Sequence, residues 1–380
     1  MNQDSNPPLY FHCNMCGECC SSWNIPIEGS KAERLLTRPW VQDRLAATRR
    51  DLTKLSDDFY RIPLTDENVC VFLADDKRCM IESNEGLTLK PHECQRFPFA
   101  TVKMPDGTAR HESSAACKLI SEKLLLAFQP ILPKPSDTAP LADGENSTPL
   151  PATDPLEDAE RFPNRVSVGL LNTLSVEQYE AFQAGLHTIF AHSNHSPAAN
   201  LKQANRLLRS ITQHQKAPQH LNQPSLFQFR PGMARLLILC FLRKPYRTLS
   251  WISLLCGRTY HDPRIFGTPV NLSQQRRIQW NDAHNRHLNA FLYTILQRKR
   301  LLCEHSSLEA LLGMAAMSAL LVQWYAKTLA WMQNASDITD LDVATAIRLV
   351  ERYYSGHQPR FMEFFLSRWR GSLIKTLLLG

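Results

Sequence analysis

The fold of the N-terminal third is decided by one short stretch, Cys13-Asn14-Met15-Cys16-Gly17-Glu18-Cys19-Cys20. Four thiols within eight residues are too dense for ordinary core packing. Further cysteines follow in the first third of the chain, which then holds eight of the eleven: Cys70, Cys79, Cys94 and Cys117. Because thiolates are strong ligands for zinc and for iron–sulfur clusters, the pattern predicts a metal centre that organises this region.

The spacing within this stretch favours one type of centre without excluding the other. Cys13, Cys16 and Cys19 have the spacing of the first three ligands of bacterial ferredoxin-type clusters, to which a distant cysteine adds the fourth. Structural zinc sites more often use two separated Cys-x2-Cys pairs, and the later cysteines are spaced too widely for a second pair. We therefore favour a [4Fe–4S] cluster and keep zinc as the alternative. Gly17 suits a tight loop whose amides point toward sulfur.

Eight thiols permit one centre with spare cysteines or two four-ligand sites. Cys19 and Cys20 would point apart in an extended backbone, so we expect that they do not both bind one ion. Cys117 near a helix N-terminus would have its thiolate stabilised by the helix dipole. The predicted metal ligands are Cys13, Cys16, Cys19, Cys20, Cys70, Cys79, Cys94 and Cys117.

The polar neighbours of the cysteines each allow two interpretations. His12 and His92 could coordinate metal, but we favour hydrogen-bonding roles around the site. Arg96 could place a cation beside an anionic cluster, or it could form a salt bridge with an acidic residue. The remaining cysteines lie in apolar helical sequence and are interpreted as core residues: Cys240, Cys256 and Cys303.

Composition and charge indicate a soluble chain of two domains. A length of 380 residues is long for one core, and 43% hydrophobic with 21% charged residues is ordinary for soluble proteins. Residues 1–163 carry 18 basic and 25 acidic side chains, whereas residues 164–380 carry 25 and 11. We interpret the basic half as a solvated helical surface that could dock a protein partner, in preference to nucleic-acid binding.

The cysteine usage and the absence of export signals predict a cytoplasmic protein. Met1–Tyr10 has neither a basic segment nor an apolar segment of a signal peptide. The longest apolar run, Ala310–Val322, is shorter than the roughly 20 residues that a membrane span requires. Cytosolic thiols stay reduced, which favours metal binding over disulfides.

Local patterns predict a mostly α protein in three parts. Residues 1–128 form an α+β metal domain with hairpins at Cys70–Leu73/Arg78–Ile81 and Phe99–Met104/Thr108–His111. Residues 129–163 form a Pro-rich linker, and residues 164–380 form an all-α domain. Helix starts are predicted at Ser30 with Glu33, Ser175 with Gln178, Ser196-Pro197, Ser306 with Glu309, and Thr339. We also predict a buried run Ala234–Leu242, a helical segment from Ser273 to Leu302, and a closing helix Phe361–Leu379.

At these residues the sequence resembles the CxxCxxCC cysteine-cluster proteins, which are described as zinc- or iron-chelating. The similarity covers about residues 11–125, and its matching pieces occur in order: Cys13–Cys20, Cys70–Leu73, Cys79–Ile81, Cys94–Pro98 and Cys117. The resemblance implies a metal-binding domain in this part of the chain.

The length and the helical C-terminal half make the layout similar to flagellin lysine-N-methylases. That resemblance implies a [4Fe–4S] cluster, S-adenosylmethionine as methyl donor and a protein substrate, with flagellin as the candidate. It makes the chain a candidate protein-lysine N-methyltransferase, although no motif identifies catalytic or S-adenosylmethionine-binding residues. The alternative is a non-enzymatic metal-binding or redox module whose basic helical domain docks a partner.

Overall fold

A computed structural model of the chain describes residues 9–11, 13–21, 25–129, 131–133, 159–169, 172–191, 195–213, 259–260, 269–275, 277–303 and 306–355. The chain divides into two units. The cysteine unit comprises Tyr10–Ala100 and Pro133–Glu157. The helical unit comprises Met1–Leu9, Thr101–Leu132 and Asp158–Gly380. The short strands Leu9–Phe11 and Ile131–Pro133 have residues in both units.

The cysteine unit is built on a three-stranded antiparallel sheet. Strand Phe59–Ile62 lies in the middle and pairs with Ile25–Glu28 on one side and Thr53–Lys54 on the other. Alternation along the first strand buries Ile25 and Ile27 on one face. The helices of this unit are Gly29–Leu36, Pro39–Thr48, Met80–Glu85 and His92–Arg96, with 3-10 turns at Glu18–Cys20 and Leu87–Leu89.

An apolar core joins the sheet to the helices of the cysteine unit. Its buried members include one predicted metal ligand, Cys70, and are Ile25, Ile27, Ala32, Leu35, Val41, Leu45, Ile62, Cys70, Val71, Phe72, Ile81 and Leu89. Cys20, Cys79 and Cys94 pack against this core. Burial of apolar area therefore contributes to holding the segments that carry the thiols.

Two local predictions for the cysteine unit need correction. The first helix begins at Gly29, after Glu28, and no capping box forms at Ser30. Arg78–Ile81 is not a hairpin strand: a single bridge joins Leu73 to Cys79, and a helix then begins at Met80. Ile81 is the buried residue of this helix, and the four residues after it are polar. A single helical turn is therefore sufficient to bury the apolar side chain of Ile81.

The predicted hairpin around Pro105-Asp106-Gly107 is confirmed. Its strands are Phe99–Lys103 and Ala109–Ser113, and the backbone N–H of Gly107 donates to the Met104 carbonyl at 2.9 Å. Gly107 has φ of 86°, a conformation in which a missing side chain avoids strain.

The helical unit consists mainly of helices. The α-helices are Lys118–Glu122, Val176–Ala191, Pro197–Gln213, Leu272–Gln275, Asn285–Leu296, Lys299–Cys303, Leu308–Met332 and Asp340–Val350. Leu124–Ala127 and Asp282–His284 are 3-10 helices, and Glu351–Ser355 is a π-helix. The strand pairs are Glu160–Arg161 with Phe99–Lys103, Arg165–Ser167 with Thr173–Ser175, and Thr259–Tyr260 with Val270–Asn271. The mostly α fold class with an α+β N-terminal region is confirmed, and the short strand pairs after residue 164 are an addition to it.

The helix Leu308–Met332 forms the centre of this unit. It packs against Asp340–Val350 and Asn285–Leu296. By length and apolar composition it could cross a membrane, but 89% of its most apolar window is buried inside the structure, as expected of a core helix. Its N-cap is Ser307, whose hydroxyl accepts from Ala310 N–H at 3.2 Å, and not Ser306 as predicted.

Most predicted helix starts in the helical unit are confirmed. Ser175 and Gln178 bond reciprocally, and Thr339 forms a full capping box with Asp342. The segment from Ser273 to Leu302 is divided into shorter helices, because Asn281 caps a new turn by accepting from Ala283 N–H at 2.9 Å. Several predictions lie outside the described residues: Ala234–Leu242, Phe361–Leu379, Cys240, Cys256, His12 and most of the linker.

Candidate metal centre

The Cys13–Cys20 loop is coiled by two left-handed residues. Met15 has φ of 49° and Gly17 has φ of 73°, and a 3-10 turn over Glu18–Cys20 follows directly. Cys20 N–H donates to the Gly17 carbonyl at 2.9 Å. The Met15 N–H donates to Cys13 Sγ at 3.4 Å, which is the kind of backbone contact that stabilises thiolate ligands.

This coiling brings Cys19 and Cys20 side by side. Their Sγ atoms lie 4.0 Å apart, so the expectation that the two thiols point apart is wrong. The cause is that the backbone is helical at this point rather than extended. Two thiolates of a tetrahedral zinc ion, each with Zn–S near 2.3 Å, lie about 3.8 Å apart. The separation of Cys19 and Cys20 is thus compatible with binding of one ion by both.

The second cysteine segment is attached to the first through the backbone. Cys70 N–H donates to the Cys20 carbonyl at 2.6 Å, and Ser21 forms a bridge with Val69. Arg44 holds the segment from the other side, because its guanidinium donates to the carbonyls of Val71 at 2.7 Å and Leu73 at 3.2 Å. Cys70 is 6% exposed. A thiol 50 residues from Cys20 in sequence is therefore fixed next to the loop.

Cys79 and Cys94 are positioned by short helices. Cys79 is the residue before helix Met80–Glu85, and the Met80 N–H donates to the Phe72 carbonyl at 2.8 Å. Cys94 lies within helix His92–Arg96, and both thiols are half-buried against the core of the unit. Three separate segments of the chain therefore bring thiols to the same apolar core: Cys70 belongs to it, and Cys20, Cys79 and Cys94 pack against it.

The charges of these thiols interact. Burial raises the pKa of Cys70 to about 12, and the neighbouring thiols Cys79 and Cys19 add to the shift. Burial likewise raises the pKa of Cys94, with further contributions from Cys70, Cys79 and Cys19. The hydrogen bond with Cys19, followed by burial, raises the pKa of Cys20. Several thiolates could not coexist here without a compensating cation.

Lys90 was missed by sequence reasoning, although it lies four residues before Cys94. Its ammonium lies 2.6 Å from Glu82, and its positive charge lowers the pKa of Cys94. Burial lowers the pKa of Lys90 itself, but Glu82, Cys79 and Cys94 outweigh this effect, so that the net shift is upward. Lys90 is therefore a cation beside two of the candidate ligands.

The polar residues singled out in the sequence have modest roles. The His92 backbone N–H donates to Glu28 Oε1 at 3.2 Å. Arg96 lies 3.6 Å from Glu93, which agrees with the salt-bridge interpretation. Cys117 is buried at the start of helix Lys118–Glu122 and belongs to the helical unit. Cys303, predicted to be a core residue, is half-buried, and its thiol donates to the Lys299 carbonyl at 3.4 Å.

Cys19 and Cys20 are neighbours, but the described thiols are not arranged as a formed coordination shell. In the part of the chain that the structure describes, no three His, Cys, Asp or Glu side chains are placed to hold a metal ion. The nine described cysteines are also not joined as disulfides. The donor chemistry thus fits a thiophilic metal.

Gly17 provides a local test of the loop. We expect Gly17→Ala to destabilise the protein by about 1–2 kcal/mol, because a side chain is strained at positive φ. A Cβ there would also lie 3.3 Å from Lys77 Cβ, so the loop would shift and metal affinity would fall. Gly107→Ala is the matched control, since Gly107 has a similar φ but nothing within 4 Å of its Cβ position. Urea unfolding and metal content should separate the variants: equal metal content in both would contradict this account.

Comparison with known proteins agrees with the thiol arrangement. Residues 12–118 match the family model CxxCxxCC, whose description is "Putative zinc- or iron-chelating domain". No curated protein and no solved structure matches the chain. The matched range contains all eight predicted ligands and ends one residue after Cys117. Residues 12–118 therefore match the CxxCxxCC family model, which covers less than a third of the chain.

Proposed function

We propose that the cysteine unit chelates one zinc or iron centre through thiolates. The observation that carries the proposal is the placement of thiols from distant segments around one loop: Cys19 and Cys20 have their Sγ atoms 4.0 Å apart, and the Cys70 N–H donates to the Cys20 carbonyl at 2.6 Å. Thiols that raise one another's pKa form an anionic pocket once they are deprotonated, and a bound cation removes that penalty. The metal would neutralise the clustered thiolates and link the three cysteine segments.

Two observations support different centres. The 4.0 Å separation of Cys19 and Cys20 supports a single ion held by both thiols. The spacing of Cys13, Cys16 and Cys19 supports a [4Fe–4S] cluster, in which each thiolate binds a different iron. In the second case Cys20 would not be a ligand. Cys20→Ser should therefore abolish binding of a single ion but leave an iron–sulfur cluster in place.

Anaerobic purification tests the proposal directly. A brown protein with broad absorbance near 400 nm and iron with acid-labile sulfide would identify a cluster. A colourless protein with zinc by elemental analysis would identify a zinc site. Protein that retains neither metal when it is expressed in metal-supplemented medium would contradict chelation altogether.

Methyl transfer stays a prediction that rests on the sequence resemblance alone. Calorimetric titration with S-adenosylmethionine tests it, and the absence of binding would leave the metal-binding or redox module as the function. A cytoplasmic location and a protein partner, with flagellin as the candidate, are likewise predictions. Fractionation of cells and co-purification from the source organism would test them.

A further inference from the structure

Cys19 and Cys20 are adjacent in sequence, and their side chains also lie side by side. The two Sγ atoms are 4.0 Å apart. Cys19 is exposed, Cys20 is half-buried, and neither is joined in a disulfide. A small molecule can therefore reach the two sulfur atoms from solvent, and it needs no cavity to do so.

The backbone on both sides of the Cys19–Cys20 pair is held by hydrogen bonds. The Cys20 N–H donates to the Gly17 carbonyl at 2.9 Å, and the Ser21 hydroxyl donates to the Glu18 carbonyl at 2.8 Å. The Cys20 carbonyl accepts the Cys70 N–H at 2.6 Å, which attaches the turn to a second segment. Because these bonds limit the conformations of the turn, a ligand that binds both sulfur atoms causes little further loss of conformational entropy.

Two thiols match a ligand atom that forms two bonds to protein sulfur. A structural zinc ion and a [4Fe–4S] cluster each take four protein ligands. Within the described ranges, no group of three His, Cys, Asp or Glu side chains is placed to hold a metal ion. Trivalent arsenic that carries one organic group has two bonds left for sulfur, because its third bond is to carbon. As a soft centre, it prefers thiolates to oxygen and nitrogen ligands.

We propose that the Cys19–Cys20 pair binds monosubstituted trivalent arsenic compounds as a cyclic dithioarsenite. The inference rests on the proposed function in that the thiols of the same loop are its donors, and it adds a second class of ligand for them. With an arsine oxide, R–As=O, each sulfur forms one bond to arsenic, and the oxygen leaves as water with the two S–H protons. Arsenic stays trivalent, so the step needs no oxidant or reductant.

Closure of the ring is the source of the affinity. Once the first As–S bond has formed, the second thiol is already beside the arsenic atom, so the second bond forms within one molecule. Tethering of this kind raises affinity over that of a single contact by about 10²- to 10⁴-fold. The pair should therefore bind an arsenical far more tightly than one thiol does.

Mass spectrometry of the full-length protein tests the adduct. Reduced protein, stripped of metal with a chelator, is incubated with phenylarsine oxide. We expect one arsenical, with loss of one water, on the peptide that contains Cys19 and Cys20. Ethanedithiol should remove it, whereas mercaptoethanol at the same thiol concentration should not, because a monothiol has to replace two bonds. Removal by mercaptoethanol as readily as by ethanedithiol would overturn the proposal, and this experiment needs no variant.

Three variants locate the arsenical on the chain, with affinity measured by calorimetry. Cys20→Ser leaves one thiol of the pair, so affinity should fall at least about 100-fold. The matched control is Cys303→Ser, which removes a half-buried thiol of the helical unit and should leave affinity unchanged. Cys16→Ser removes another thiol of the same loop and should also bind normally. Wild-type affinity in Cys20→Ser, or an equal loss in Cys16→Ser, would contradict assignment to this pair.

Metal analysis of the same preparations separates this inference from the proposed function. A chain that is purified with zinc or iron but takes up no arsenical after metal removal would refute the arsenical site alone. A chain that binds the arsenical but never retains zinc or iron would refute the metal centre alone.

Discussion

Replacing Cys19 with alanine is expected to leave the protein essentially without metal. The Cys19 Sγ lies 4.0 Å from the Cys20 Sγ, and Cys19 is also one of the three cysteines with ferredoxin-type spacing, so it is a candidate ligand of either type of centre. The loss in affinity should exceed the roughly 10- to 100-fold that removal of an outer partner of a metal site costs. Elemental analysis of the purified variant is the measurement. If the variant is insoluble but can be refolded into a metal-free protein, that result would also indicate that Cys19 is required for metal binding.

The matched control for this variant is Cys303→Ala. Cys303 is a half-buried thiol of the helical unit, and its thiol donates to the Lys299 carbonyl. It lies outside the range of the family match, so its loss should leave metal content unchanged. Cys16→Ala should behave like Cys19→Ala. Equal metal content in all three variants would refute the assignment of the centre to the N-terminal loop.

Raising the pH above 9 is expected to destabilise the metal-free protein strongly. Cys70 has a pKa of about 12 in the folded chain, against an ordinary value of 9.0 for an exposed thiol. Below pH 9 the thiol is protonated in both states and the contribution to stability is complete. Between pH 9 and 12 the unfolded state loses its proton first, so unfolding becomes easier by about 1.4 kcal/mol per pH unit, or about 4 kcal/mol in all.

Urea unfolding with chelator and reductant between pH 8 and 10.5 measures this effect. Lysines and tyrosines also titrate in this range, so the informative quantity is the difference in slope between the wild-type chain and Cys70→Ser, whose hydroxyl does not ionise. Cys303→Ser serves as the control for a thiol outside the cysteine unit. Identical slopes for the wild type and Cys70→Ser would show that Cys70 is not held in the buried, protonated form.

Local sequence patterns predicted the structure correctly where it depends on residues that are close together in the chain. The turn at Pro105-Asp106-Gly107, the capping pair Ser175 and Gln178, and the box at Thr339 depend on residues within three or four positions. The helix Leu308–Met332 was evident from its apolar run. Predictions failed where distant contacts decide the conformation. Ile81, for example, is recruited into the core from a helix rather than a strand.

The sequence alone identified cysteine sulfur as the candidate metal ligand, because the affinity of a thiolate for zinc and iron is a property of the residue type and does not depend on the fold. Tertiary structure decided which thiols are neighbours: the left-handed turn at Gly17 places Cys19 beside Cys20, and a backbone hydrogen bond attaches Cys70 to the same loop. Burial and charge at such places depend on what surrounds a side chain, and linear order does not contain that information.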